Sequence, residues 1–265
     1  LDRTDPEWVP VRLAPHSPQW TDPVIAEGNI TASGTNGVSY EEFPMTHFSH
    51  DQNFHMDLDP KYANLKSTAM TGSMEQEWEI GTFNDGRTDR FPKEFWPWEG
   101  DRVWMKGSWV IDCGHFQTKV GPPPDNDVTY FGYRTEIHPP FITAFTRNEP
   151  YVFPGETSPS TAAVTYVYLH GRGGNHDTFV GGQDYEFDIN LPPCKEGPLL
   201  CLQEHRLHSN VIGLPFGGPA PILTANLTAN KAHVVIPLKN TPASPDLQYG
   251  AIVASKLVRP TGLRS

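Results

Sequence analysis

The chain has no basic patch, no long apolar run and little that reads as helix. No apolar stretch approaches the roughly 18–20 residues that a membrane-spanning helix needs. No run of Lys or Arg interrupts a formal net charge of −11, and phosphate-backbone binding requires basic clusters, so nucleic acid is excluded as a partner. The acidity suits cation binding or plain solubility. The one helix-start signal is Asp59-Pro60, opening a short piece over 60–70. There is no internal repeat and no low-complexity tract. The chain opens on Leu1 with no signal-like segment, and we read it as a mature exported chain, working outside the cell or at its surface. Cysteine is scarce, at three. Cys194 and Cys201 bracket a short loop that a disulfide would close, two unrelated thiols being the alternative, and Cys113 is left over.

What is abundant is punctuation. Proline (27) and glycine (23) make up about a fifth of the 265 residues, a proportion that suits many short strands joined by loops. Strand patterns fall at 24–31, 74–82, 102–112, 130–137, 142–147, 161–170, 184–191, 222–227, 233–238 and 249–258. The cleanest alternation sets Tyr185, Phe187, Ile189 and Leu191 against Asp184, Glu186, Asp188 and Asn190. This spacing predicts an all-β protein, an antiparallel β-sandwich or jelly roll with long Pro/Gly-rich loops, over 26–265. Prolines at 150, 154 and 159 mark a seam at 148–160 where the region would subdivide.

Residues 1–25 are Pro-rich and poor in core formers, with one strand-like row, Val9, Val11 and Leu13. Pro10 removes a ladder donor, which assigns this row to a sheet edge. Such a segment needs a host, either its own domain or a neighbouring copy that receives it as a donated strand.

Two motifs carry the chemistry. Trp109-Val-Ile-Asp112-Cys113-Gly114-His115 reads as a strand ending in a glycine turn, and Thr135-Glu136-Ile-His138-Pro-Pro140 as a strand halted by a double proline. Glu136 and His138 share a strand face, and the turn at Cys113-Gly114 would fold Asp112 and His115 inward. Four N/O ligands from neighbouring strands suit a divalent metal, zinc first and calcium second. The alternative has Asp112 and His115 serving turn backbone and Glu136 pairing with Arg134 or Arg147. A second cluster, with His47, His50, Asp51, His55, Asp57 and Asp59, adds His47 and His50 as candidate ligands, or is simply a polar loop. Glu75, Glu77 and Glu79 flank Trp78 on one strand face, which we expect to be solvated unless one of them reaches the metal.

Other constellations are weaker. Cys113 with His115 lacks the geometry and the oxyanion element of a Cys–His nucleophile. His170-Gly-Arg-Gly-Gly174 is superficially similar to an esterase oxyanion loop but comes without the Gly-x-Ser-x-Gly elbow. Gly173-Gly-Asn-His-Asp177 with Asp184 lacks EF-hand spacing. The Trp residues at 78, 96, 98, 104 and 109, with Phe91 and Phe95, are expected to be core; displayed on the surface they would bind glycan.

The segments Phe95-Trp-Pro-Trp-Glu-Gly-Asp-Arg-Val103, Gly107-Ser-Trp-Val-Ile-Asp-Cys-Gly-His115 and Thr135-Glu-Ile-His-Pro-Pro140, with His50-Asp51 and Tyr185-Glu-Phe-Asp-Ile-Asn-Leu-Pro-Pro193, resemble a family of uncharacterised, mostly bacterial exported proteins. The resemblance covers about half of the chain. It implies a shared site around these residues and no named reaction. Three functions fit. The first is an extracellular structural subunit of a filament or surface assembly, joined to its own copies through Val9, Val11 and Leu13, with the metal site as a fastening. The second is a secreted metal-dependent hydrolase, and the third a carbohydrate-binding β-sandwich.

Overall fold

The structure, a computed structural model, describes residues 8–10, 23–33, 50–67, 72–81, 95–120, 128–171, 179–190, 204–211, 219–226, 231–245 and 247–258. The fold is all-β and divides into two compact units, one built on residues 1–143 and the other on 144–171 and 179–265. The division falls at Thr143/Ala144, inside a strand, whereas residues 148–160 carry the strand end and turn that lead into the second unit's next strand. Among the described residues no helix is long and apolar enough to cross a membrane.

The first unit contains β1 (Trp8–Pro10), β2 (Pro23–Ser33), β3 (His50–Leu58), β4 (Met74–Gly81), β5 (Arg102–Val120) and the first part of β6 (Val128–Tyr151). The strands run in the order β5-β2-β3-β4-β6, and β6 pairs back onto β5. A five-stranded barrel therefore closes here, where strand spacing alone suggested a sandwich or jelly roll. Closure removes the free edges that an open sheet would have to protect. The β2–β5, β2–β3 and β3–β4 pairings are antiparallel, and β4–β6 is parallel through Gln76 and Ile137.

The registers identify the inward face. Ala26 lies opposite Met105, Ile30 opposite Met56, Met56 opposite Met74, Gln52 opposite Trp78 and Gln76 opposite Ile137. Phe54, Met56, Met74, Trp78, Met105 and Ile137 are all fully buried. On the reverse face of β2 and β3, Ile25, Asn29 and Asp57 are exposed. The apolar side thus fills the barrel, as the period-two alternation of a strand requires. Gly107 marks where β5 meets β6. A Cβ there would lie 2.4 Å from Ile137 Cγ2 and 2.7 Å from the Pro139 carbonyl oxygen.

Three sequence expectations change. β6 is not halted at Pro139-Pro140 but runs through it, joining the two strands expected at 130–137 and 142–147; the His138–Pro139 peptide is cis. β5 likewise passes Cys113-Gly114 without a turn and continues to Val120. The helical piece shrinks to a 3₁₀ turn, Pro60–Leu65. The Leu65 carbonyl accepts hydrogen bonds from Trp109 Nε1 (3.0 Å) and Thr135 Oγ1 (2.6 Å), which fasten this turn to β5 and β6. At its other end Arg102 pairs with Asp59 and Glu27, and Glu27 also accepts from Lys61 Nζ (2.7 Å) and Tyr62 (2.8 Å).

β1 pairs with β5 of the same chain, Val9 lying opposite Ile111. Val11 and Leu13 lie outside the described residues. The second unit holds a four-stranded array, the end of β6 with β7 (Ser160–His170), β12 (Gln248–Val258) and β9 (Glu204–Val211), in that order. It also holds a three-stranded sheet, β10 (Ile222–Asn226), β11 (Lys231–Ile236) and β8 (Tyr185–Asn190). In β8 the alternation is complete: Tyr185, Phe187 and Ile189 are buried, Glu186, Asp188 and Asn190 exposed.

Two outcomes follow from this packing. Gly107→Ala should destabilise the protein by about 2 kcal/mol or more, as overpacking does, measured by urea unfolding. Burial tends to raise the Glu27 pKa, but its hydrogen bonds to Lys61 and Tyr62 and the charges of Lys61 and Arg102 outweigh that and lower it below 4.5. A carboxylate with a lowered folded-state pKa contributes stability above its unfolded value and loses it as pH falls through the folded one. Glu27→Gln should therefore lower the melting temperature at pH 7, and the difference from wild type should shrink as the pH is taken below about 4.

Candidate metal centre

The strand face turned away from the barrel interior is also buried along β4 and β6, and that face is polar. On β4 it carries Glu75 and Glu77, which are 8% and 1% exposed. On β6 it carries Arg134, Glu136 and His138, the last two 1% and 2% exposed. The parallel register of Gln76 with Ile137 sets Glu77 beside His138 and Glu75 beside Glu136. The solvated face expected for the three β4 glutamates is thus overturned for Glu75 and Glu77.

Glu77, Glu136 and His138 each bring one ligand atom to within 4.8 Å of the other two. His138 Nδ1 lies 2.8 Å from Glu77 Oε2 and 3.6 Å from Glu136 Oε1. Neither carboxylate oxygen of Glu136 receives a hydrogen bond among the described residues. Burial drives the Glu136 pKa far above the ordinary carboxylate range, the nearby charge of Glu77 adds to the rise, and His138 opposes it. Two carboxylates in a low-dielectric pocket demand positive charge, from protons or from a cation.

A second set of contacts borders the trio. Asn53, opposite Glu77 on β3, donates from Nδ2 to Glu77 Oε1 and Glu75 Oε1, both at 3.3 Å. Arg134 Nη1 lies 2.6 Å from Glu75 Oε2, and Arg134 Nη2 lies 3.2 Å from Asp112 Oδ2. Burial disfavours the Arg134 charge, but Glu75, Asp112 and Glu136 more than compensate and raise its pKa. His55, partly exposed, approaches Glu75 at 3.8 Å.

Of the candidate ligands, Glu136 and His138 come together as their shared strand face required. Asp112 is buried on β5 but faces Arg134. His115 lies in β5 and His50 at the start of β3, in both cases without a described side chain, and His47, Cys194 and Cys201 lie outside the described residues. From His50 on, the second cluster forms a strand, β3, where a polar loop was the alternative. Glu77 joins this cluster of Glu136 and His138, and sequence reasoning did not single it out among the β4 glutamates. Its signal was there, since Glu75 and Glu77 alternate with Gln76 and Trp78, but alternation does not say which face water reaches.

Of the weaker constellations, residues 172–178, with Gly173-Gly174-Asn175-His176-Asp177, lie outside the described residues. Asp184 Oδ1 accepts a hydrogen bond from the Lys239 backbone N–H at 2.9 Å. His170 is buried at the end of β7, its Nε2 3.4 Å from Gln248 Nε2. Trp78, Phe95 and Trp104 are buried, as a core role predicts, while Trp98 is 56% exposed. No family model matches the chain, and no curated protein or solved structure is significantly similar to it.

Asn53→Ala removes a donor shared by two buried carboxylates. It should cost about 2–3 kcal/mol, the range for hydrogen bonds to charged groups and for leaving such groups unsatisfied, measured by chemical denaturation.

Proposed function

We propose that this chain is a metal-binding β-barrel protein in which a divalent cation, held by Glu77, Glu136 and His138, fastens β4 to β6. The observation that carries this is the buried Glu136 carboxylate, which receives no hydrogen bond among the described residues and lies within 4.8 Å of a second carboxylate and an imidazole. The mixed N/O donor set suits zinc, whereas calcium favours six to eight oxygens. The ion would neutralise both carboxylates and cross-link two strands that, among the described residues, pair through Gln76 and Ile137.

Burial supports a fastening role over catalysis. The three side chains are at most 3% exposed, and a hydrolase needs a coordination position open to water and substrate. A carbohydrate-binding role would need a displayed aromatic row, and of Trp78, Phe95, Trp104 and Trp98 only Trp98 is strongly exposed. The filament-subunit reading leaned on a donated N-terminal strand. The pairing of β1 with its own β5 instead favours a chain that completes itself, so self-assembly is not carried into the proposal. The likeness of its motifs to exported proteins supports a place outside the cell.

The test is elemental analysis of the purified chain after dialysis against zinc, with thermal melts before and after chelation. One equivalent is expected per chain, lost in Glu136→Gln/His138→Ala. Zinc at a hundredfold excess over its dissociation constant should stabilise wild type by about 2.7 kcal/mol. Wild type without bound zinc, or full occupancy in the folded double variant, would sink the assignment.

A further inference from the structure

Arg134 bridges two buried carboxylates, Glu75 and Asp112. Its guanidinium reaches Glu75 Oε2 at 2.6 Å with one nitrogen and Asp112 Oδ2 at 3.2 Å with another. The Arg134 side chain is 17% exposed, Glu75 11% and Asp112 2%. Glu75 is not remote from the proposed ion. Asn53 Nδ2 bonds Glu75 and Glu77 together, and the β4–β6 register sets Glu75 beside Glu136. Glu136 itself is buried with both oxygens lacking a donor among the described residues.

Without a resident cation, this wall would offer the ion four carboxylates and one imidazole. That is an oxygen-rich set, the kind in which calcium collects six to eight ligands. With Arg134 in place, Glu75 and Asp112 are held by a planar fork that fits two carboxylates at once, a geometry that the point charge of lysine cannot reproduce. Glu77, Glu136 and His138 remain, a smaller set whose imidazole nitrogen favours a transition-type dication.

We propose that Arg134 is the specificity-determining residue of the site: by holding Glu75 and Asp112 it withholds them from the ion and so favours zinc-like cations over calcium. This rests on the metal reading of Glu77, Glu136 and His138. In the proposal Arg134 and Glu75 do not touch the ion; Arg134 acts by holding two carboxylates away from it.

The experiment is titration of the full chain with Co²⁺, a coloured stand-in for zinc, and separately with Ca²⁺, for wild type, Arg134→Gln, Arg134→Lys and Glu75→Gln. Wild type should bind Co²⁺ about a hundredfold or more tighter than Ca²⁺. Arg134→Gln should narrow that ratio by about tenfold or more, with a changed Co²⁺ visible spectrum, and Arg134→Lys should fall between the two. An unchanged ratio, or an equal loss of both affinities, overturns the inference while leaving the metal reading intact. Should Arg134→Gln fail to fold, Glu75→Gln decides: Co²⁺ affinity within about threefold of wild type supports a withheld Glu75, and a loss of about tenfold or more places it among the ligands and overturns the inference. A wild type that binds neither ion removes the metal reading and this inference with it.

Discussion

Four carboxylates buried on one wall of a β-barrel are the constraint that organises the first unit. Each charge taken out of water carries a penalty that a single packing contact does not offset, so each must find positive charge or hydrogen bonds nearby. Glu75 and Asp112 find Arg134, and Glu75 and Glu77 share the amide of Asn53. Glu136 has His138 at 3.6 Å and feels the charge of Arg134, but neither of its oxygens receives a hydrogen bond among the described residues. The polar wall is therefore matched for part of its length, and at Glu136 the balance is met by a proton on the carboxyl or, in the proposal above, by a bound cation.

The barrel makes that wall possible by separating two tasks. Its interior is filled by apolar side chains from all five strands, with Trp78 and Phe54 among the largest. Stability from burial then comes mainly from one face, and the reverse face of β4 and β6 is released to carry ionisable groups. A strand whose two faces are both buried but chemically opposite is uncommon, because alternation normally pairs a buried face with a wet one. Here the same two-residue period places Gln76 and Ile137 inward and Glu75, Glu77, Glu136 and His138 on the polar side.

Much of this was legible in the sequence, and the gaps have physical causes. Strand positions followed from alternation, best in β8, where burial is strictly periodic. The pairing of Glu136 with His138 followed from their spacing of two. Barrel closure did not, because which strands pair is a long-range choice that local periodicity does not encode, and β4 meets β6 in parallel across many intervening residues. The continuity of β6 through Pro139-Pro140 was hidden because proline usually ends a ladder. Glu77 was passed over for a related reason: an acidic face on a strand looks solvated until something is known to cover it.

β5 also shows how one long strand tolerates variation in what it binds. Ser108 and Val110 are near neighbours on it, yet their partners are Pro23 and Pro10, in two different strands. Each of β1 and β2 takes its register from β5 directly and not from the other. Register is thus set rung by rung along one long strand, so a substitution confined to β1 can weaken its pairing with Val110–Asp112 while leaving the β2 rungs at Arg102–Ser108 in place.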